Sequence, residues 1–453
     1  MMSGRVRRVT KPCFVDLFAG CGGLSLGLTD SGWQGMLAVE KDAMAFGTLH
    51  SNLVEGPQRR RYAWIEGIPK KAFGIQSLLT TYRQQLKRLA GKVDLIAGGP
   101  PCQGFSSAGR RNGADPRNQL LLQYVKVVAA LRPKFILMEN VRGIAAKHRS
   151  SEEAYADILL RKLKEAGYLC VARIVKAADC GVPQERPRYI VLGVRAADFS
   201  IITIGDTLQK LWEEALDLGR KRLLRERGLT AKHVSCREAI SDLETTGKTM
   251  EPCLDAPGRL QIKYGRPITT YQKALHGNAA IMDSMRLARH SSATVSRFSW
   301  LQKHCEHGVN VGSLDLGEYG NKKHTQVVLH PNRPSRTLTT LPDDLIHYSE
   351  PRILTVREYA RLQSFPDWFR FTGKYTTGGE LRTKECPRYT QIGNAVAPFV
   401  GQALGYAIQE LAKKIAKREV QVIRKRSARR PKREVRAVRA TQNSIRVWRA
   451  AEQ

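Results

Sequence analysis

The first 195 residues alternate short apolar runs with longer amphipathic stretches, and this alternation limits the folds open to the chain more than any other feature. Strands that are repeatedly followed by helices build a parallel sheet from βαβ units. The predicted strands are FVDLF (14–18), MLAVE (36–40), VDLIAG (93–98), FILMEN (135–140) and YIVLGV (189–194). The predicted helices between them are 24–32, 73–91, 118–133 and 154–168. The fold class expected is therefore α/β, with a doubly wound, mostly parallel sheet.

Beyond residue 200 the pattern changes twice. A helical stretch at 210–228 is followed by a mixed region rich in His, Arg, Ser and Gly, and helical periodicity returns at 355–365 and 400–417. A smaller domain inserted between two parts of one catalytic core explains this order better than three consecutive domains. The predicted segments are a basic N-terminal extension (1–12), a first core part (13–229), an inserted domain (230–326), a second core part (327–411) and a basic tail (412–453).

The chain is strongly basic, with a formal net charge of +34. This excess is unusual for an enzyme that acts on small metabolites and indicates a polyanionic partner. Nucleic acid is the first expectation, and an anionic membrane surface is the alternative. Between Ala412 and Ala450 there are fifteen Lys or Arg and two Glu. This tail either contacts nucleic acid or forms a solvated arm, and the rest of the chain remains basic without it.

Cysteine usage and hydropathy bear on location and on metals. The nine cysteines lack the regular spacing of a secreted disulfide framework, and no apolar run approaches the ~20 residues that a membrane span requires. A cytoplasmic location is expected. The stretch HCEH (304–307) suggests zinc, but no second Cys or His pair stands at a suitable spacing, so no metal is predicted.

A glycine cluster follows the first predicted strand in FVDLFAGCGGLSLGL. Gly20, Gly22 and Gly23 let the backbone approach a ligand closely, and Glu40, at the end of the next strand, is placed to accept hydrogen bonds from ribose hydroxyls. The third glycine of the dinucleotide fingerprint is replaced by Ser25. A methionine-derived sulfonium cofactor, which has no pyrophosphate, fits this departure. An ordinary tight strand-to-helix turn is the alternative.

A cysteine stands behind two prolines in GGPPCQGFSSAG, after the third predicted strand. Pro100 and Pro101 stiffen the loop, and loops beyond the carboxyl ends of parallel strands are where ligands bind. Cys102 is therefore a candidate nucleophile, provided that its thiol is deprotonated. Buried structural roles are expected for four other cysteines, namely Cys13, Cys21, Cys170 and Cys180.

Charged side chains follow at the same predicted sheet edge. Glu139 ends the strand FILMEN, where a carboxyl group can act as a general acid if burial raises its pKa, or can be a helix cap or an ion-pair partner. Arg186 and Arg188 share one face if GVPQERPRYIVLGV is extended. They would bind phosphate or carboxylate and orient Glu139, or form a surface pair.

These motifs together carry a family resemblance. The chain resembles the DNA (cytosine-5)-methyltransferases, of the prokaryotic modification type, over residues 13–195 and 327–405. No regulatory domain precedes the core, which favours that type. The motifs, in order, are DLFAGCGG, Glu40, GGPPCQGFS, ENVRG, QERPR, RPSRTLTT (333–340), TVREYARLQSFP and QIGNAVAP (391–398).

The resemblance implies a mechanism. The thiolate of Cys102 would add to carbon 6 of a cytosine flipped out of double-stranded DNA, and Glu139 would protonate or hydrogen-bond ring nitrogen 3. Carbon 5 would then take a methyl group from S-adenosyl-L-methionine. Arg186 and Arg188 would hold the flipped nucleotide and Glu139.

The resemblance also implies a cofactor pocket. Its expected residues are Phe18, Gly20, Gly22, Gly23, Glu40, Gly99, Pro101, Asn394 and Val396. Many relatives carry an Asp that binds the adenine amino group, and here WIEGIPKKAF offers only Glu66. Lys41 replaces an apolar or aromatic residue, and its stem would cover the adenine.

The resemblance leaves the substrate sequence open. Residues 230–326 would read the DNA, without any indication of which side chains contact bases. The alternatives are the same chemistry on tRNA and a non-catalytic DNA-binding relative. A cognate restriction endonuclease, not in physical complex, is a further expectation, and no obligate protein partner is predicted.

Overall fold

A computed structural model describes residues 11–56, 61–101, 118–147, 153–198, 205–279, 282–312, 314, 316–320, 323–378, 381 and 384–427. At its centre is a six-stranded sheet with the strand order β2-β1-β3-β4-β6-β5. The strands are β1 (Cys13–Leu17), β2 (Gln34–Val39), β3 (Leu95–Gly98), β4 (Phe135–Val141), β5 (Tyr168–Lys176) and β6 (Pro187–Arg195). All five predicted strands are therefore present, with ends shifted by at most two residues.

The sheet is mostly parallel, as predicted, with one strand reversed. Strands β1 to β4 pair in parallel, whereas β6 is antiparallel to both β4 and β5. The sequence did not predict β5 or the direction of β6. Because β6 is reversed, its first residues lie beside the carboxyl end of β4, and Arg188 pairs across from Val141.

Thirteen α-helices are found in the described ranges. They are α1 (Gly23–Asp30), α2 (Ala43–Leu49), α3 (Ile75–Leu79), α4 (Arg83–Arg88), α5 (Asn118–Leu131), α6 (Tyr155–Glu165), α7 (Gly205–Glu226), α8 (Cys236–Ile240), α9 (Thr270–His276), α10 (Ser292–His304), α11 (Val356–Leu362), α12 (Arg388–Asn394) and α13 (Pro398–Ser427). The predicted helix at 73–91 is divided into α3 and α4 at the β-branched pair Thr80-Thr81, which disfavours helix. Within these ranges no helix combines the length and apolarity needed to cross a bilayer.

Helices cover both faces of the sheet. Phe14 of β1 packs with α1, α2, α7 and α13, whereas Val15 and Leu17 face the opposite layer of α3 to α6. The doubly wound architecture is thereby confirmed. Helix α13 returns to the first helix at very short range, since a Cβ on Gly27 would lie 2.2 Å from the Pro398 carbonyl oxygen. This contact brings the C-terminal segment to the glycine cluster.

Side chains of the predicted inserted domain are divided between the main core and two smaller clusters. Side chains of α8 and α9 belong to the main core, and a hairpin of β7 (Met250–Pro252) and β8 (Leu260–Ile262) covers a small cluster with Met282 and Met285. A second small cluster packs α10 against two short parallel strands, β9 (Val327–Val328) and β10 (Leu345–Ile346). The boundaries at 230 and 326 remain predictions.

The predicted boundary before the basic tail falls inside a helix. Helix α13 continues to Ser427, with Ala412 and Ile415 buried, and Lys414 forms an ion pair with Glu214 of α7 (2.5 Å). The first part of the tail is therefore folded onto the core. Residues 428–453 lie outside the described ranges.

Candidate active site

The chain after β1 turns sharply before α1 begins. Phe18, Gly20 and Gly22 all have positive φ (61°, 56° and 93°). For Phe18 this conformation is strained, and strain of this kind is concentrated at functional sites. A Cβ on Gly20 would meet nothing within 4 Å, so open space adjoins the backbone there. The turn has the form of a cradle for a ligand.

Glu40 is held against this turn. The backbone N–H of Gly20 donates to Glu40 Oε2 (2.9 Å), and that of Asp42 donates to Oε1 (2.8 Å). Burial raises the pKa of Glu40, while the two backbone bonds oppose that rise. The carboxylate is thus immobilised beside the turn, and it has acceptor capacity left for a ribose hydroxyl, whose binding remains a prediction.

The segment after α12 meets the same turn. The Val396 carbonyl oxygen would lie 2.2 Å from a Cβ on Gly23, so only glycine allows this approach. Cys21 Sγ donates to the Gln391 carbonyl (3.5 Å) from the other side. Asn394 has an exposed side chain at the end of α12. The predicted cofactor residues from the two ends of the chain are therefore brought together.

Three buried polar side chains, Asp16, Ser25 and Tyr62, form a hydrogen-bonded group next to the glycine turn. The sequence motifs did not predict this group. Ser25 donates to Asp16 Oδ2 (2.5 Å), and its hydroxyl oxygen lies 2.7 Å from that of Tyr62. Asp16 is 1% exposed, and burial raises its pKa to about 7. The sequence did contain one signal for this group, namely a single Asp in the otherwise apolar predicted strand FVDLF.

A carboxylate and a guanidinium meet at the carboxyl end of β4. Arg188 Nε lies 2.7 Å from Glu139 Oε1, and both side chains are 13% exposed. The reversed direction of β6 causes this contact, because it delivers Arg188 to the edge where β4 ends. Gly99 flanks the pair, since a Cβ there would lie 3.0 Å from Glu139 Oε2.

The proline loop is tied to the same edge. Asn140 Nδ2 donates to the Pro100 carbonyl (3.1 Å), and Pro101 is partly buried beside it. The predicted nucleophile Cys102 follows directly but lies outside the described residues, with 103–117. The loop therefore leaves the sheet beside Glu139 and Arg188.

Arg186 has different partners from Arg188. It is 5% exposed and donates to the backbone carbonyls of Leu338 (3.1 Å) and Gly393 (2.7 Å). Arg186 Nη1 also lies 3.5 Å from Gln184 Oε1. The two arginines that the sequence grouped together thus serve separate groups of atoms, and only Arg188 pairs with Glu139.

A strand-like contact places the segment 333–340 beside this edge. The Ser335 N–H donates to the Pro183 carbonyl (2.9 Å), and the Glu185 N–H donates to the Ser335 carbonyl (2.8 Å). Arg333 and Arg336 project from this segment with exposed side chains. Within the described ranges neither guanidinium has a carboxylate in ion-pair range, so two cations border the site.

Helix α11 carries charged side chains that are fully buried. Arg361 bonds both oxygens of Asp242 (3.0 and 3.1 Å) and both oxygens of Asp367 (2.6 and 2.7 Å), and all three residues are at most 1% exposed. Arg357 likewise pairs with Asp283. These ion pairs fasten the region of the predicted insert to the core.

The described part of the chain does not bring the remaining candidates for adenine or metal binding into a common site. Glu66 and Lys41 are both exposed, and the residue that binds the adenine amino group remains a prediction. His304 and His307 contact the carbonyls of Trp300 (2.9 Å) and Gln302 (3.0 Å). Nowhere in the described part of the chain do three potential metal ligands cluster.

Comparisons with known proteins agree with this geometry. The family model described as C-5 cytosine-specific DNA methylase matches residues 13–410. Type II methyltransferase M.DdeI of Desulfomicrobium norvegicum is 32% identical over 406 residues, covering 87% of this chain and 88% of the relative. Type II methyltransferase M.XorII of Xanthomonas oryzae pv. oryzae is 31% identical over 423 residues, covering 90% and 86%.

One solved structure from E. coli, named provisionally as a prophage-encoded DNA modification methyltransferase, has a TM-score of 0.59 and 26% identity. It covers 88% of this chain and 99% of its own. The similarity extends over both predicted parts of the core and the region between them.

Proposed function

Because this chain belongs to the family of C-5 cytosine-specific DNA methylases and is a DNA (cytosine-5)-methyltransferase, we propose that its methyl donor is S-adenosyl-L-methionine and its substrate double-stranded DNA. The observation that carries this proposal is the Glu139–Arg188 pair at the carboxyl end of β4, because β3 alone separates that strand from β1, whose carboxyl end continues into the glycine turn held by Glu40. The residues proposed to hold the base and those proposed to hold the methyl donor therefore follow strands of the same parallel part of the sheet.

The cradle fits an adenosine-containing sulfonium. Gly20 leaves open space, and the Glu40 carboxylate is fixed by two N–H donors. Gly22 and Gly23 let the turn pack closely on Leu49 and on the Val396 carbonyl, so they shape the cradle from the protein side. Gly99 and Pro101 would form the far wall, and Asn394 and Val396 would close the pocket, with Phe18 in the strained turn. When bound, S-adenosyl-L-methionine supplies an electrophilic methyl group.

The cytosine would be held beside Glu139, at the carboxyl end of β4. Carbon 5 of a neutral cytosine is a poor nucleophile, so the Cys102 thiolate would first form a sulfur bond to carbon 6 while Glu139 donates a proton or a hydrogen bond to ring nitrogen 3. Arg188 holds one carboxyl oxygen of Glu139 and leaves the other for the base. Charge then does not accumulate on the ring.

The second half of the reaction transfers the methyl group and restores the double bond between carbons 5 and 6 of the cytosine. Glu40 and the glycine turn would hold S-adenosyl-L-methionine, which would supply its methyl group to carbon 5 and be left as S-adenosylhomocysteine. Transfer of the proton from carbon 5 to a water molecule would re-form the double bond to carbon 6 and expel the Cys102 thiolate. The base must leave the helix for this, since a side chain cannot reach carbon 6 within the stack.

DNA would lie along the edge bordered by Arg333 and Arg336, with 230–326 reading the sequence and the basic tail adding phosphate contacts. The support is the charge of +34 and the two exposed guanidiniums beside the site, which face no carboxylate among the described residues. The relatives named above are Type II methyltransferases, and for this chain a cognate restriction endonuclease and a cytoplasmic location remain predictions.

Labelled methyl transfer tests the proposal directly. The purified protein should transfer tritium from methyl-labelled S-adenosyl-L-methionine to duplex DNA, and bisulfite sequencing of the product should show protected cytosines in one shared context. Matched reactions contain single-stranded DNA or tRNA. Label found only in tRNA would support the RNA alternative, and no label in any nucleic acid would support the non-catalytic one.

Removing the bordering cations should change the salt dependence of DNA binding. Each cation that no longer neutralises a phosphate lowers the slope of log affinity against log salt by about one, so Arg333→Ala with Arg336→Ala should lower it by about two. Binding should weaken equally for all sequences, because phosphate contacts carry no sequence information. Fluorescence anisotropy across a salt series measures this.

The control for this prediction is Arg88→Ala, which removes another exposed cation, from α4. It should leave the slope unchanged. A double variant with the wild-type slope would place the DNA away from the 333–340 segment.

A further inference from the structure

We propose that Arg186 is a positioning residue for the cofactor half of the site, holding the segment that closes over the cofactor and making no contact with the flipped cytosine. This inference rests on the proposed function, because it assumes that Asn394 and Val396 cover the methyl donor. It departs from the expectation that Arg186 and Arg188 act together on the nucleotide and Glu139.

The direction of the side chain is the first observation. Arg186 is buried, and its guanidinium points to backbone oxygens on two segments, namely Leu338 (3.1 Å) and Gly393 (2.7 Å). Arg188, two residues later, is directed to Glu139. Short side chains could not replace this contact, because the planar fork of Arg186 reaches both carbonyls at once.

The position of Gly393 is the second observation. It lies in the last turn of α12, where carbonyls lack partners within the helix and the helix dipole is negative. A cation that donates to this carbonyl therefore stabilises the end of α12. No carboxylate of the described residues is in ion-pair range of Arg186. Its guanidinium donates to backbone carbonyl oxygens instead.

The connection from Gly393 to the cofactor cradle is the third observation. Asn394, Ala395 and Val396 follow directly, and the Val396 carbonyl lies against Gly23 of the turn. On its other side, Gly393 is packed so closely on Thr339 that a Cβ would lie 2.2 Å from the Thr339 carbonyl oxygen. Displacement of Gly393 would therefore move Asn394 and Val396, the residues proposed to close the cofactor pocket.

A second side chain, that of Gln363, holds the same segment at the end of α12. Gln363 Nε2 donates to the carbonyls of Ile392 (3.1 Å) and Ala395 (2.7 Å), and Gln363 also bonds Gln184. Gln184 in turn accepts from the Leu338 N–H (3.0 Å). Arg186 thus belongs to a buried polar group that donates to three carbonyls at the end of α12, those of Ile392, Gly393 and Ala395. Removal of its guanidinium would leave Gln363 as the remaining member of this group that holds the end of α12.

Cofactor affinity without DNA tests the role. Isothermal titration of S-adenosylhomocysteine into Arg186→Gln should give a dissociation constant raised about tenfold, because two charge-assisted hydrogen bonds are removed. Steady-state assays should show a matching rise of KM for S-adenosyl-L-methionine with a smaller change in kcat. Arg186→Lys should recover part of the affinity, since lysine keeps the charge but lacks the planar fork.

Two controls separate this role from a structural or catalytic one. Arg297→Gln removes an arginine that also donates to a backbone carbonyl (Tyr319) and an amide oxygen (Gln326), and it should leave S-adenosylhomocysteine affinity unchanged even if the melting temperature falls. Arg188→Lys should retain that affinity within about twofold while methyl transfer falls.

Two results would overturn the inference. An Arg186→Gln protein that binds S-adenosylhomocysteine like the wild type but has a lower kcat would return Arg186 to the cytosine half of the site. Absence of S-adenosylhomocysteine binding by the wild-type protein would refute the proposed cofactor and this role with it, an outcome distinct from selective weakening in the variant.

Discussion

Replacement of Cys102 by alanine is expected to lower methyl transfer to DNA by at least about 10³-fold, because without the thiolate carbon 5 of the cytosine is not activated. The described residues around it support this role. Asn140 anchors the Pro100 carbonyl, and Gly99 lies against Glu139, so the loop that bears Cys102 begins beside the proposed acid. Tritium transfer from labelled S-adenosyl-L-methionine measures the decrease.

DNA containing 5-fluorocytosine gives an independent readout of the same prediction. The fluorine at carbon 5 cannot leave as a proton does, so the wild-type protein should remain covalently attached, while Cys102→Ala should form no adduct. DNA affinity should be retained in the variant. Cys305→Ala, which removes a partly buried thiol from a different part of the chain, is the matched control and should methylate normally. Normal methylation by Cys102→Ala would exclude it as the nucleophile.

Replacement of Arg361 by glutamine is expected to lower the free energy of unfolding by about 3–5 kcal/mol. Arg361 is fully buried and holds Asp242 and Asp367, both fully buried, through four hydrogen bonds. Without the guanidinium, two carboxylates remain in a medium of low polarity with a neutral amide in place of the cation. Urea denaturation followed by circular dichroism measures the change.

Variants that restore charge balance make this prediction specific. Adding Asp242→Asn and Asp367→Asn to Arg361→Gln should recover part of the stability, because the uncompensated carboxylates are then removed. Lys221→Gln, which breaks an exposed pair with Asp217, should change stability little. If Arg361→Gln is as stable as the wild type, or if the triple variant is less stable than the single one, the ion pairs do not fasten the inserted region.

Local patterns predicted much of the site because they require only neighbours along the chain. Gly20 and Glu40 each stand at the end of a predicted strand, and parallel strands bring such ends to one sheet edge. Glu139 was placed by the same reasoning. The hydrogen bond between Gly20 and Glu40 and the position of Glu139 beside Arg188 agree with these expectations. The roles assigned to these side chains remain predictions.

Patterns could not show where buried polar side chains find partners. Polarity along the chain suggests exposure for an Asp or an Arg, and Asp16 and Arg361 are buried only because Ser25, Asp242 and Asp367 meet them from other segments. Periodicity identified α11 as a helix but did not indicate that its charged residues face the core.

The sequence by itself determined the fold class and the family, and it predicted a set of residues for the chemistry, because strand and helix periods and motif residues are local properties. The tertiary structure decided which of these residues act on each other. Strand β6 runs antiparallel to β4, so Arg188 reaches Glu139, while Arg186 is turned towards the end of α12. Strand direction and side-chain partners depend on contacts between segments far apart in the chain, and no local pattern specifies them.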